Sequence, residues 1–133
     1  MYSVTKCIDF CYGHRLLDYD GICKHPHGHN AKVEIEVSTG ALDSRNMVCD
    51  FSDIKRIVKG WIDREFDHKM LLRRDDPLVA LLRGLGEPVF VCESNPTVEH
   101  IAHLIYRHAR EEGLPVVRVK VWETPTSFAE YDE

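Results

Sequence analysis

The feature that most constrains the fold is a strict alternation of apolar and charged residues at positions 31–37, where Ala31, Val33, Ile35 and Val37 flank Lys32, Glu34 and Glu36. Successive side chains of a β-strand point to opposite faces, so this pattern predicts a strand with one covered and one open face. Residues 2–12 alternate in the same way on their even positions, with Lys6 as the exception, and predict a second strand. His14 continues the apolar row of that second strand.

From residue 50 the apolar spacing changes from two to three and four, which is typical of an amphipathic helix. This first long helix spans residues 51–66, with Asp50 or Ser52 as a possible N-cap, and a second begins at Asn95-Pro96-Thr97 and ends near Gly113. Lesser elements are predicted as a short strand at 47–49, a charged loop at 67–77, a short helix at 78–82, a brief strand at 89–92 and a final strand at 117–123. The final strand is predicted to place Val117, Val119, Val121 and Glu123 on one inward face. The order of these elements predicts a single antiparallel α+β domain over residues 1–133.

Composition narrows the classes of function. The longest apolar stretches are far shorter than the roughly 18 residues of a membrane span, and the N-terminus lacks a secretory pattern, so we expect a cytoplasmic protein without membrane association. A formal net charge of -5 argues against nucleic-acid binding. The five cysteines are irregularly spaced, without a C-x-x-C pair, and are interpreted as free thiols.

Three histidines form a candidate metal site. His27 and His29 are two residues apart on an extended chain, so their side chains point to the same side, and their parity matches the apolar row that follows. A hairpin would bring His14 beside them. Three imidazoles leave one position of zinc open, as in catalytic sites. A solvated histidine-rich loop is the alternative, and His25 is interpreted as a loop residue.

Other reactive side chains keep two interpretations each. Cys23 could be activated by a nearby cation or be an inert buried thiol. Asp67-His68 could carry protons or cap a helix, and Glu123 could anchor a ligand or form a structural salt bridge. Thr97 and Glu99 are explained by helix capping alone.

These residues fall in motifs that resemble the family of 6-pyruvoyltetrahydropterin and 6-carboxytetrahydropterin synthases over nearly the whole chain. The matching segments are Phe10 to His14, Cys23-x-x-x-His27-Gly28-His29, Val48-Cys49-Asp50-Phe51, Phe66-Asp67-His68, Asn95-Pro96-Thr97-x-Glu99 and Glu123-Thr124-Pro125. Two departures are the Cys11-Tyr12-Gly13 segment, where small alanine-like residues are more usual, and the charged segment 69–76.

The resemblance implies a tunnelling-fold (T-fold) subunit, with a four-stranded antiparallel sheet and two long helices on one face. Such subunits join into barrels, commonly as homohexamers, with active sites between subunits. The resemblance further implies zinc as the cofactor. In the roles it implies, His14, His27 and His29 bind zinc, Cys23 is the catalytic base, Asp67 and His68 assist proton transfer, Glu123 anchors the pterin, and Thr97 and Glu99 line its pocket.

The motif around Cys23 resembles the queuosine branch of the family, in which 7,8-dihydroneopterin triphosphate is converted to 6-carboxy-5,6,7,8-tetrahydropterin with release of acetaldehyde and triphosphate. Two alternatives stay open from the sequence. One is a 6-pyruvoyltetrahydropterin synthase, which eliminates triphosphate without cleaving the side chain, and the other is a non-catalytic subunit that binds pterin or zinc. Arg15, Lys24, Lys55, Arg73 and Arg74 are available to hold the triphosphate.

Overall fold

The computed structural model describes all 133 residues and contains six strands and four α-helical segments. The strands are β1 (Tyr2–His14), β2 (His27–Thr39), β3 (Lys69–Arg73), β4 (Val89–Cys92), β5 (Val116–Thr124) and β6 (Ser127–Asp132). The helices are α1 (Phe51–Ile54), which continues through a π-helical turn (Lys55–Lys59) into α2 (Gly60–Glu65), then α3 (Leu78–Gly84) and α4 (Val98–Glu111). The predicted α+β fold is confirmed, and no helix is long and apolar enough to cross a membrane.

All six strands form one mixed sheet in the order β4-β3-β1-β2-β5-β6. The pairs β1-β2, β2-β5 and β5-β6 are antiparallel, whereas β3 is parallel to both β1 and β4. The prediction of four antiparallel strands was therefore wrong in number and partly in direction. Strands β3 and β6 were not predicted, because neither has the long alternation that marks β1 and β2. Strand β3 lies within the charged segment that was interpreted as a loop, and β6 follows β5 after a two-residue turn.

The β1-β2 hairpin is the centre of the sheet, with continuous pairing from Tyr2 opposite Thr39 to His14 opposite His27. The even residues of β1 and the odd residues of β2 are buried on the same face, as the alternation predicts. Val33, Ile35 and Val37 are fully buried there. The hairpin therefore places the two chain segments that carry the histidines side by side.

The two long helices cover this buried face, as predicted. Asp50 caps the first helix by accepting a hydrogen bond from the Ser52 N–H, and Thr97 caps α4 by accepting one from the His100 N–H. Their apolar faces complete the core with the fully buried side chains of Ile54, Val58, Ile62, Ile101 and Ile105. On the opposite face of the sheet, most odd residues of β1 are exposed.

Two further details correct the predictions. Residues 47–49 form a bend rather than a strand. In β5, the pairing with β2 shifts between Glu36 and Val37, so Val37 lies opposite Val116 and Val117 has no partner. Val116 is consequently fully buried in place of Val117. Beyond this bulge, Val119, Val121 and Glu123 keep the predicted parity.

Candidate metal centre and its surroundings

The structure brings the three predicted histidines together at the loop end of the β1-β2 hairpin, next to the segment that connects the two strands. His14 is the last residue of β1 and pairs with His27, the first of β2, while His29 pairs with Tyr12. The ring centroids are 4.5 Å apart for His14 and His27, 5.2 Å for His14 and His29, and 5.0 Å for His27 and His29. One nitrogen from each ring lies within 4.8 Å of the other two. Three donors therefore converge on one point.

Backbone carbonyls orient two of the rings. His14 Nδ1 donates to the Pro96 carbonyl and His27 Nδ1 donates to the His25 carbonyl, each at 2.7 Å. A neutral imidazole that carries its proton on Nδ1 has a free lone pair on Nε2. A hydrogen bond from the ring nitrogen that does not bind the metal is the usual way in which proteins orient metal-binding histidines.

The Nε2 atoms of all three histidines are buried and have no hydrogen-bond partner within the chain. Buried polar atoms in native proteins are nearly always paired, so three such atoms at one point call for a group that binds them together. Three imidazole nitrogens suit a zinc ion with one open position. The residues present therefore fit the metal that the sequence predicts.

Glu123 lies directly beside this histidine cluster. Its Oε1 is 3.3 Å from His29 Nε2 and 3.5 Å from His14 Nε2, which are ion-pair distances without hydrogen-bond geometry. Tyr12 donates its hydroxyl to the same oxygen at 3.5 Å. The carboxylate thus lies at the edge of the cluster with its side chain 26% exposed, and it keeps room for a ligand.

Burial determines the protonation of the site. It lowers the pKa of His14, outweighing the hydrogen bond to Pro96, and it lowers the pKa of His29 despite the nearby Glu123 carboxylate. Both rings are therefore neutral at physiological pH, the state that binds metals. Burial and the charge of Glu123 together raise the pKa of Tyr12, so its hydroxyl stays a donor.

Asp67 and His68 form a second cluster with Cys11. Asp67 Oδ2 is 2.9 Å from His68 Nδ1, and its Oδ1 accepts the Cys11 N–H at 3.0 Å. Burial alone would raise the pKa of Asp67, but these two contacts outweigh it and lower the pKa. The His68 N–H donates to the Cys11 carbonyl at 2.8 Å, and the His68 side chain is 79% exposed. The two side chains are therefore in direct contact rather than merely adjacent in sequence.

The structure separates the remaining predicted residues from one another. Cys23 is half-buried in a 3₁₀ turn (Ile22–Lys24), where its carbonyl accepts the Leu16 N–H. Within a single chain, its side chain joins neither the histidine cluster nor the cluster around Asp67. Thr97 is occupied as the cap of α4. Glu99, in the first turn of α4, is close enough to Tyr12 to contribute to the raised pKa of the hydroxyl.

Two side-chain interactions that support the segment next to the site were not predicted from the sequence. The Asn95 side chain accepts from the Leu17 N–H at 3.0 Å and donates to the Leu17 carbonyl at 2.8 Å. Arg15 makes two hydrogen bonds, of 2.7 Å and 2.5 Å, to the buried carboxylate of Asp76. Both contacts hold the segment between His14 and Cys23. No local sequence pattern indicated either contact, because each joins residues that are far apart in sequence.

The sequence and the fold are both similar to those of known proteins. A sequence model of the family described as 6-pyruvoyl tetrahydropterin synthase matches residues 3–133. The 6-carboxy-5,6,7,8-tetrahydropterin synthase of Haemophilus influenzae is 36% identical, over 100% of both chains. An uncharacterised protein from Wolinella succinogenes has a similar structure, with a TM-score of 0.83 at 28% identity over 99% of this chain and 98% of that one. The fold is also that of the Caenorhabditis elegans 6-pyruvoyl tetrahydropterin synthase, with a TM-score of 0.75 at 19% identity over 99% and 95% of the two chains.

Proposed function

The chain belongs to the 6-pyruvoyl tetrahydropterin synthase family, and on this premise we propose that it is a zinc-dependent 6-carboxy-5,6,7,8-tetrahydropterin synthase. Its substrate is then 7,8-dihydroneopterin triphosphate, and its products are 6-carboxy-5,6,7,8-tetrahydropterin, acetaldehyde and triphosphate, in the route to queuosine. The observation that carries the proposal is the convergence of three buried, unpartnered Nε2 atoms beside a carboxylate. The similarity to relatives that bear this name supports the choice of product.

His14, His27 and His29 would hold the zinc, with the carbonyls of Pro96 and His25 keeping two of the rings in the binding tautomer. When bound, zinc supplies Lewis-acid polarisation of the hydroxyls on the pterin side chain, which makes a neighbouring C–H more acidic. The hairpin register fixes these residues on a rigid part of the sheet. Gly28 allows the strands to approach there, because a Cβ at this position would lie 3.1 Å from the Tyr12 carbonyl oxygen.

Proton transfer falls to three side chains of the chain. Cys23, as the base, removes a proton from the substrate side chain, and the Asp67-His68 pair returns or accepts protons at the His68 ring. The contact between His68 Nδ1 and Asp67 supports this role, because it leaves Nε2 of an exposed ring free to exchange protons. This arrangement is the usual one for an oriented general base.

Glu123 would anchor the pterin ring through a pair of N–H groups, with Tyr12 donating to the same carboxylate and fixing its position. Thr97 and Glu99 at the start of α4 border this pocket. Orientation by a carboxylate beside the metal would bring the substrate side chain over the histidines. A pterin bound to Glu123 would also account for a polar side chain in the inward row of β5.

Charge pairing narrows the candidates for the triphosphate. Arg15 is engaged by Asp76, Arg73 by Asp75 and Asp18, and Arg74 by Glu93. Lys24 and Lys55 are both exposed and make no ion pair within the chain, and of the two only Lys24 neighbours Cys23. We therefore propose Lys24 as the first triphosphate contact, with homohexamers that complete each site between subunits.

Product analysis tests the function. Zinc-loaded protein is incubated with 7,8-dihydroneopterin triphosphate, and acetaldehyde, triphosphate and pterin products are quantified by chromatography. Equal yields of acetaldehyde and 6-carboxy-5,6,7,8-tetrahydropterin are expected. Triphosphate release without acetaldehyde would replace the proposal by a 6-pyruvoyltetrahydropterin synthase, and no turnover with the substrate bound would indicate a non-catalytic pterin-binding subunit.

A further inference from the structure

The Cys11 side chain is a reactive group that the proposed reaction does not use. Its thiol sulfur, a carboxylate oxygen of Asp67 and a ring nitrogen of His68 all lie within 4.8 Å of one another. The three side chains line a cleft of about 960 Å³ on the face of the sheet that exposes the odd residues of β1, opposite the buried face that carries the histidine cluster. Sulfur, nitrogen and oxygen donors are thus gathered at a second point of the chain.

The backbone holds this group of side chains in place. The Cys11 N–H donates to Asp67 and the Cys11 carbonyl accepts the His68 N–H, so β1 is tied to the segment after α2 on both sides of the residue. His68 has a positive φ of 59°, which a non-glycine residue adopts only where its surroundings hold it. A site whose donors are positioned by the backbone loses little freedom when a ligand binds.

We propose that Cys11, Asp67 and His68 form a second, weaker zinc site, and that its occupation inhibits the enzyme. One thiolate, one carboxylate and one imidazole are ligands that zinc accepts, and water would complete the coordination. The site itself does not depend on the function proposed above. Its inhibitory consequence does, because it rests on the role given to the Asp67-His68 pair.

When zinc binds at this site, it replaces protons on the His68 ring and the Cys11 thiol. Zinc takes the place of the proton that His68 Nδ1 shares with Asp67, and the imidazole then carries its proton on Nε2. The Cys11 thiol loses its proton to solvent, so one proton is released for each ion bound. No oxidation occurs. With Nδ1 bound to zinc, Nε2 keeps its proton and can no longer accept one, which is why excess zinc would slow turnover.

Cobalt(II) serves as the spectroscopic probe, because a cobalt–thiolate bond gives an intense near-ultraviolet charge-transfer band. The titration uses the Cys23→Ala variant, which removes the thiol assigned as the base. We expect two cobalt ions per chain and a thiolate band that develops with the second ion. Adding Cys11→Ser should abolish the band and leave one ion, whereas adding Cys7→Ser, a change on the same face of β1, should alter neither. A band that survives Cys11→Ser would overturn the proposal.

Adding His27→Ala to the Cys23→Ala protein separates the two sites. The thiolate band should persist when the histidine cluster is disrupted, so failure of the proposed function would leave this result intact. In the otherwise unaltered enzyme, excess zinc should lower turnover at least tenfold, and Cys11→Ser should remove that inhibition while keeping the activity measured at one zinc per chain. Equal inhibition of both proteins would refute the regulatory role.

Discussion

At the scale of single residues, hydrogen bonds to two backbone carbonyls orient the His14 and His27 rings for metal binding. These carbonyls belong to residues 96 and 25, and they are present whatever side chain those residues carry. Replacing the His27 imidazole therefore removes one donor without disturbing the backbone around it. We expect His27→Ala to lower zinc content from about one ion per chain to well below one, because a three-imidazole site that loses a ligand holds zinc far less tightly. Metal analysis of the purified, dialysed protein measures this.

His25→Ala is the matched control. The His25 side chain is exposed and lies outside the cluster, while its carbonyl, which accepts from His27, is unchanged by the substitution. Zinc content should stay at the level of the unaltered protein. If the two variants lost zinc equally, the assignment of ligands would be incorrect.

The proposed role of Cys23 as the catalytic base is tested by removing its thiol. Removing a general base costs about 10²- to 10⁴-fold in rate, so Cys23→Ala should reduce kcat by that factor while zinc content stays constant. Cys7→Ala, an exposed thiol on the open face of β1, should leave kcat unchanged. Steady-state kinetics with parallel metal analysis distinguishes loss of the base from loss of the metal, and an unaffected kcat in Cys23→Ala would contradict the assignment.

At the scale of elements, the hairpin was predictable because alternation determines which face each residue occupies. The parity of residues 27–37 placed His27 and His29 on the covered face, and the structure agrees. Strand β3 was not predictable, since it has only five residues between charged neighbours. Its parallel pairing with β1 depends on contacts distant in sequence, which local periodicity does not report.

The same distinction applies to the site. The histidines and Glu123 continue apolar rows, so their burial followed from parity alone. The contact between Asp67 and His68 lies at a residue with positive φ, and the Asn95–Leu17 contact joins residues 78 apart in sequence. No local pattern encodes either. The resemblance to a family indicated roles for Asp67 and His68, but the supporting residues Asn95 and Asp76 became visible only with the fold.

The Arg15–Asp76 pair joins the segment after β1 to the start of α3. The Asp76 carboxylate is fully buried, and its Oδ1 also accepts the Leu78 N–H at 2.8 Å. Asp76→Asn should lower the free energy of unfolding by about 3 kcal/mol, the low end for breaking a buried pair, because Arg15 keeps some contact with water. Asp75→Asn, the exposed neighbour, should cost much less, because water screens the ion pair between Asp75 and Arg73. Urea unfolding at neutral pH measures both, and equal losses would contradict a special role for Asp76.

The pH dependence of this stabilisation has a definite sign. The hydrogen bonds from Arg15 outweigh burial and lower the pKa of Asp76 below its usual value of 3.8. A carboxylate with a depressed folded-state pKa stabilises fully above the unfolded pKa, near 4, and loses this contribution as pH falls through the folded-state value. The difference in stability between the unaltered protein and Asp76→Asn should therefore be constant from pH 6 to about pH 5 and shrink below about pH 4.

At the scale of the whole molecule, one chain holds the parts of the site in separate places. The histidine cluster lies on the covered face, the Asp67-His68 pair contacts the edge of β1, and Cys23 belongs to neither cluster. The sheet also ends in two strands, β4 and β6, that each pair on only one side. Exposed strand edges are common sites of association between chains. Both features favour an assembly in which neighbouring subunits complete each site.

Mixing two inactive variants tests that assembly. If Cys23 of one subunit works with His68 of another, co-refolding equal amounts of Cys23→Ala and His68→Ala should restore about one quarter of the activity, since random assembly joins two unaltered residues in that share of sites. Each variant alone should be inactive, and the double variant mixed with unaltered protein controls for subunit exchange. Light scattering should show a hexamer in every sample. An assembled but inactive mixture would mean that Cys23 and His68 act within the same chain.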